Sequence, residues 1–131
     1  MRYALLLYGP EPPMAVDEEV MKVEMDAYNA FTRHIVDNGA YQGGEALQGI
    51  DTATTVQVRD GQTITTDGPF AETKETLGGI YIVEAADLDE AIGYAAMIPM
   101  AQHGSVEVRP IWEVPPEYQD PRARAQPATT H

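Results

Sequence analysis

The hydrophobic pattern opens with an uninterrupted apolar run over residues 3–8, which ends at Gly9-Pro10. Such a run is typical of a central strand that is covered on both faces. A stripe of apolar residues follows at spacings of three and four, which predicts an amphipathic helix. Asp17 is placed to cap its start and Gly39 to end it in a left-handed conformation. The stripe comprises Met21, Met25, Tyr28, Thr32 and Ile35.

Shorter strand-like segments and one more helix occupy the rest of the chain. Residues 41–47 and 79–84 have strand character, and residues 54–59 and 62–66 flank Asp60-Gly61, a preferred hairpin turn. Asp87 begins a capping box for a second helix, which Pro99 ends. The apolar positions of this helix predict a buried face made by Leu88, Ile92, Ala95 and Ala96. Residues 106–112 form the last predicted strand.

This order of elements amounts to two βαβ-like halves, so we predict a ferredoxin-like α+β fold with a mixed sheet and both helices on one face. The domain spans residues 1–114. The proline- and alanine-rich tail over residues 115–131 offers little to pack and is expected to be mobile. The other sheet face must be solvated, hold a ligand, or meet a second copy in a dimeric α/β barrel. We predict a homodimer.

Charge and composition exclude several classes of partner. The net charge is −13, and the tail carries as many positive as negative residues, so the excess lies on the folded part. Nucleic acids and anionic membranes need basic patches that this sequence lacks, and no segment has the length of a transmembrane helix. There is no cysteine, which fits a cytoplasmic location. The scattered histidines and the Gly78-Gly79 pair match no metal or nucleotide motif, so no metal and no cofactor is predicted.

The most distinctive segment is TDGPFAETKE, at residues 66–75. Gly68 permits unusual backbone angles, Pro69 turns the chain out of the strand, Phe70 is an expected anchor, and Asp67 can accept backbone hydrogen bonds in the turn. The segment resembles the DGPF signature of the DGPF/YCII-related family. Matching residues continue at Gly43-Glu45-Leu47, at 89–92 (DEAI) and at 106–110 (VEVRP).

The resemblance implies a ferredoxin-like fold that usually dimerises, with a cleft near the signature loop and a largely unassigned role. Some relatives are associated with extracytoplasmic-function sigma factors. Simpler YciI-type relatives carry a histidine in the first helix and an aspartate just after the second, proposed as an acid–base pair. Here those positions fall at Tyr28 and near Ile98-Pro99, so the pair is not reproduced.

Two residues are candidates for acid–base chemistry. Asp67, in a desolvated cleft, could act as a base or orient a ligand, or it could only cap its turn. His103, in the loop before the last strand, could serve as an acid or base, or it could simply be solvated.

Four other residues are candidates for ligand binding. Lys74 could bind a substrate carboxylate or pair with a neighbouring glutamate. Arg109 should lie on the face opposite Val106 and Val108, where it meets an anion, solvent or an ion pair across the dimer. Phe70 and Tyr81 are aromatic contacts for a ligand, with a role in the core or the dimer interface as the alternative for Tyr81.

Two functional hypotheses follow. The first is a cofactor-independent proton-transfer enzyme of lyase, isomerase or dehydrochlorinase-like type that acts on an unknown small molecule. The second is a non-catalytic dimeric module that binds a metabolite or a protein, with any regulatory role acting through another protein.

Overall fold

The computed structural model describes residues 1–11 and 17–119. Within these ranges the chain forms β1 (Arg2–Gly9), α1 (Glu18–Asp37), β2 (Tyr41–Ala46), β3 (Thr54–Arg59), β4 (Gln62–Asp67), β5 (Thr76–Glu84), α2 (Leu88–Met97) and β6 (Ser105–Pro110). Short 3-10 turns lie at Ile50–Thr52, Pro99–Gln102 and Pro116–Tyr118. The tail was predicted to be mobile, and from residue 120 onward it lies outside the described residues. Neither α1 nor α2 is long and apolar enough to cross a membrane.

The main sheet has the strand order β2-β5-β1-β6. Every pairing in it is antiparallel, so the prediction of a mixed sheet is wrong in this respect. The two strands joined through α1, β1 and β2, are not neighbours because β5 lies between them. The chain is thus an α+β domain with two helices and antiparallel sheets, compatible with the predicted ferredoxin-like architecture.

The core lies between the helices and one face of the sheet. Along β1, Tyr3, Leu5 and Leu7 are buried, while Ala4 and Leu6 on the opposite face are only half-buried. Strand alternation explains this difference, since successive side chains point to opposite faces. β1 is central as predicted, but within the described chain only one of its faces is covered. The remaining core residues are Phe31, Ile35, Ala40, Val83, Ala85, Ala91, Tyr94, Ala95 and Ile98.

α1 begins and ends where the sequence predicts. The Asp17 side chain accepts a hydrogen bond from the Glu19 backbone at 2.8 Å, and Gly39 has a φ of 70°. Burial within the helix is uneven, because its buried side chains, Phe31 and Ile35, lie in the C-terminal half. The apolar stripe of the N-terminal half therefore lies outside the main core.

α2 starts at its predicted cap, but of the four residues predicted for its buried face only Ala95 is buried. The Asp87 carboxylate accepts the Glu90 backbone N–H at 2.9 Å. Leu88 and Ile92 are each 48% exposed, whereas Ala91, Tyr94 and Ala95 are buried. The small side chains of the two alanines let the helix lie close to the sheet, and Tyr94 contacts α1 through His34 with ring centroids 6.2 Å apart.

β3 and β4 form a separate two-stranded hairpin. Asp60 (φ 53°) and Gly61 (φ 77°) make its turn, as predicted, with both central residues in the positive-φ region that such turns require. Val56 and Val58 are exposed on one face of the hairpin. The hairpin thus adds exposed apolar surface outside the main core.

Candidate functional site

A cavity of about 800 Å³ lies between the N-terminal half of α1 and the sheet edge formed by β2 and β5. It exists because the helix-facing positions of that edge carry small residues, namely Gly44, Ala46 and Gly79. At Gly44 a Cβ atom would stand 2.9 Å from the Tyr81 ring, so glycine is what lets this ring lie against β2. Cavities of a few hundred to about 1,000 Å³ are the usual size of small-molecule sites.

The apolar lining of the cavity consists largely of methionine and tyrosine side chains. Met21 and Met25 from α1 and Met100 from the turn after α2 approach it from the helix side, and Tyr28, Tyr41 and Tyr81 contribute rings. Methionine side chains are flexible and polarisable, so they adapt to irregular apolar ligands. The N-terminal stripe of α1 thus lines a cavity instead of filling a core.

A chain of hydrogen bonds connects three of the lining residues. The Thr32 hydroxyl donates to the Tyr28 carbonyl at 3.0 Å. Its oxygen lies 3.2 Å from the Tyr81 hydroxyl, which must therefore be the donor in that contact. Tyr81 is also held at 5.1 Å, edge to face, by the Phe31 ring. The Tyr81 side chain is consequently fixed at the cavity wall.

Tyr28 presents a phenol whose pKa is raised. Burial is the main cause and the nearby negative charge of Glu24 is the next, since both disfavour the phenolate. Tyr28 is therefore a hydrogen-bond donor in the neutral form at physiological pH. The sequence predicted Tyr28 only as part of the apolar stripe of α1, so its place at the cavity wall was missed.

The raised pKa of Tyr28 predicts a pH effect on stability. A group with a raised pKa in the folded state stabilises the fold below its unfolded pKa of about 10, and this contribution is lost as the pH rises through the folded value. We expect wild-type protein to lose more unfolding free energy than Tyr28→Phe between about pH 8 and pH 11, as measured by urea unfolding. Equal losses in both proteins would show that Tyr28 ionises as readily in the fold as in the unfolded chain.

His103 reaches the cavity from the turn that follows α2. It also borders a second, more open depression of about 870 Å³ on the other side of α1, which is lined by Val20, Val23 and Ala27 among others. We favour the first cavity as the site, because it combines deeper enclosure with the hydroxyl cluster. His103 is the predicted acid–base residue that the fold does bring to this cavity.

The signature segment, residues 66–75, contributes no residue to the cavity lining. Asp67 ends β4 and is exposed, and within the described ranges its carboxylate accepts no hydrogen bond, contrary to the predicted turn cap. Gly68 does adopt the predicted conformation, with a φ of 102°, and its N–H donates to the Ala53 carbonyl at 2.8 Å. Phe70 is 81% exposed, so it does not anchor the loop within the described chain.

Lys74 and Arg109 also lie away from the cavity lining. Lys74 is exposed and, among the described residues, is in no ion pair. Arg109 lies on the open sheet face, opposite the side of Val106 and Val108 as predicted, and its Nε donates to Glu107 at 2.9 Å. Binding roles for Asp67, Phe70, Lys74 and Arg109 stay predictions.

Glu11 joins the cavity to the end of the signature segment. Its carboxylate accepts the Ile50 backbone N–H at 3.1 Å and the Thr76 hydroxyl at 3.0 Å. Thr76 and Leu77, which directly follow the signature segment, line the cavity. The described residues contain no group of three or more acidic or histidine side chains that could hold a metal ion.

Sequence comparison assigns the chain to a class. The YCII-related domain matches residues 1–115, and the chain belongs to this family, as the resemblance indicated. It is 38% identical over 118 residues to Uncharacterized protein R00369 of Rhizobium meliloti (strain 1021), an alignment that covers 85% of this chain and 92% of that protein.

Proposed function

We propose that this YCII-related protein binds a small molecule in the cavity beneath α1. The observation that carries the proposal is a concave space of about 800 Å³, partly open to solvent, with an apolar wall and a few fixed polar groups. This combination is the usual composition of a ligand site, in which the apolar wall supplies affinity and the polar groups set orientation. Tyr81, a predicted ligand contact, is one of these fixed groups.

A cofactor-independent proton transfer in this cavity would rely on His103 and Tyr28. His103 would accept or deliver the proton, while the neutral Tyr28 hydroxyl would donate a hydrogen bond to a developing negative charge. Both residues line the same cavity. Asp67 would take part in this chemistry if a second copy of the chain completed a surface around the signature loop.

The binding proposal is tested by filling the cavity. Ala46 is exposed at the end of β2 and lines only this cavity, so Ala46→Trp should occupy the space without removing a polar group. We expect fragments that bind wild-type protein to shift the methyl NMR signals of Met21, Met25 and Met100 together, and we expect Ala46→Trp to abolish those shifts.

The matched control is Ala27→Trp, which places the same ring in the depression on the other side of α1. Binding should survive this change. If Ala27→Trp removes binding while Ala46→Trp retains it, the ligand site lies in the second depression and the proposal is wrong.

A second proposal concerns self-association, and the open sheet face favours it. Ala4, Leu6, Ile80 and Ile82 form a contiguous apolar strip across β1 and β5 that no described element covers. Monomers seldom leave such strips exposed, and a second copy offers a face of the same composition. We therefore propose a homodimer of the dimeric-barrel type, formed through this face. A purely regulatory role, linked to sigma factors through the family resemblance, would use this same dimer without catalysis.

A further inference from the structure

The cavity offers an anionic ligand no permanent counter-charge. No lysine or arginine lines it among the described residues, and the lining residue His103 is exposed to solvent. Glu24, one turn of α1 before Tyr28, adds a negative charge near the wall. On a chain whose net charge is −13, an anion would therefore enter a site that repels it.

The carboxylates near the cavity do not form a binding site for a cation either. Glu45 is opposite Ile80 in the pairing of β2 with β5, so its side chain points to the open sheet face and away from the cavity. The Glu11 carboxylate already accepts two hydrogen bonds from the protein. Glu24 is exposed, so water and salt screen its charge. A cation that entered the cavity would thus lose hydration without gaining a pair of desolvated carboxylates.

Most hydroxyl protons of the cavity wall are already used within the protein. The Thr32 hydroxyl donates to the Tyr28 carbonyl and accepts from Tyr81. The Thr76 hydroxyl donates to a carboxylate. The phenol hydroxyls of Tyr28 and Tyr41 donate to no acceptor among the described residues, so their protons are available to a ligand.

Of these two phenols, Tyr28 is the one that can select a ligand. Tyr41 is 39% exposed, so water hydrates its hydroxyl whether or not a ligand binds, whereas Tyr28 is half-buried. The Met100 N–H approaches the Tyr28 phenol oxygen and helps to hold it beside the turn that follows α2. Tyr28 therefore presents a proton that needs an acceptor. A carbonyl oxygen is such an acceptor, and it carries no charge.

We propose that the cavity selects an uncharged aromatic or conjugated carbonyl compound, whose oxygen accepts a hydrogen bond from the Tyr28 hydroxyl and whose apolar body lies among the methionines of α1. This inference rests on the proposed function, because it specifies the ligand class of the same cavity. Flexible methionine side chains suit the flat apolar body of such a molecule. The inference differs from the expectation that Lys74 binds a substrate carboxylate.

Four naphthalene probes of similar size test the inference: 2-acetylnaphthalene, 2-isopropenylnaphthalene, 2-naphthoate and naphthalen-2-ylmethylammonium. The first two, a ketone and an alkene, have nearly the same shape, because a methylene group in the alkene replaces the carbonyl oxygen. Each probe is titrated into the full chain while the methionine methyl signals are followed by NMR. We expect the ketone to bind at least about tenfold more tightly than either ion, since both ions lose hydration in the cavity.

Tyr28→Phe removes the proposed donor and retains the aromatic ring. We expect it to weaken ketone binding by about fivefold, as for the loss of one neutral hydrogen bond, and to leave alkene binding within about twofold. Infrared spectra give an independent readout: the carbonyl stretch of bound ketone, isotope-labelled at the carbonyl carbon, should lie at a lower frequency in wild type than in Tyr28→Phe. Tyr41→Phe is the matched control at the same cavity, and it should change neither the affinities nor the frequency.

The possible outcomes separate the two proposals. If the probes bind in the cavity but Tyr28→Phe weakens the ketone no more than the alkene, the carbonyl preference is overturned and the binding site stands. The preference is also overturned if either ion binds as tightly as the ketone, or if Tyr41→Phe shifts the carbonyl frequency and Tyr28→Phe does not. If none of the four probes shifts Met21, Met25 or Met100, the proposed function fails, and the inference fails with it.

Discussion

Leu6→Glu is expected to convert the proposed homodimer into a folded monomer. Leu6 lies in the middle of the open sheet face, opposite Ile80 on one neighbouring strand and Glu107 on the other. In a two-fold interface each substitution appears twice, so two new carboxylates would face apolar surface and the existing Glu107. Burial of unpaired charge costs at least about 3 kcal/mol, which corresponds to a rise of about 100-fold or more in the dimer dissociation constant.

Sedimentation velocity over a range of protein concentrations measures this change directly, with circular dichroism to show that the variant remains folded. Folding should persist because Leu6 is only half-buried in the single chain, outside the main core. Val20→Glu is the control, since Val20 is 59% exposed on α1 and remote from the sheet face. A wild-type chain that stays monomeric, or a Leu6→Glu variant that dimerises as well as wild type, would contradict the proposed interface.

The same interface bears on Arg109. Arg109 and Glu107 share the open face with Leu6, and both would be removed from solvent if two copies met there. A buried ion pair adds little net stability, but it costs several kcal/mol when one partner is lost. The predicted ion pair of Arg109 across a dimer would depend on the positions of two copies of the chain, and the structure contains one.

Local signals in the sequence predicted local structure well. The turn at Asp60-Gly61, the caps at Asp17 and Asp87, and the helix end at Gly39 all lie where they were expected. Each of these features depends on a backbone conformation or a hydrogen bond within a few residues, so the surrounding fold need not be known. The hairpin and both helices could therefore be derived from the sequence.

Features that depend on packing between elements were harder to predict from the sequence. α2 has apolar residues on more than one side, and its buried face was decided by how closely Ala91 and Ala95 let it approach the sheet. The apolar stripe of α1 was correctly placed along the helix, but the part containing Met21 and Met25 lines a cavity. Periodicity identifies an apolar face without showing whether another element fills the space against it.

The residues of the candidate site were likewise predicted in part. His103 and Tyr81 were predicted and do line the cavity, whereas Asp67 and Lys74 were favoured because of the distinctive signature segment and do not line it. That segment contains at least one structural requirement, the positive φ of Gly68. The cavity itself results from missing side chains at Gly44 and Gly79, and the absence of a side chain becomes meaningful only when the opposing helix is in place.

Gly104→Ala is expected to destabilise the fold more than any other single methyl addition among the described glycines. A Cβ at Gly104 would lie 2.1 Å from the Tyr8 carbonyl oxygen and 2.9 Å from the Gly9 Cα. Both contacts are backbone atoms of β1, which is held between β5 and β6 and cannot rotate aside. At Gly9 and Gly44, by contrast, the nearest atoms belong to side chains that can move.

Relief of this clash requires the turn containing His103 to separate from the end of β1. Overpacking of this kind costs about 3 kcal/mol, which should lower Tm by about 10 °C for a domain of this size. The displaced turn also carries Met100, so the binding of fragments in the cavity should weaken in the same variant.

Gly93→Ala provides the matched comparison, because Gly93 lies exposed in the middle of α2 and a Cβ there meets nothing within 4 Å. This change should raise stability by about 0.5–1 kcal/mol, since alanine has the higher helix propensity. Thermal unfolding of the two variants beside wild type should therefore show opposite shifts for the same added methyl group. If Gly104→Ala melts with wild type, the turn does not pack against β1 as described, and the position of His103 at the cavity loses its structural basis.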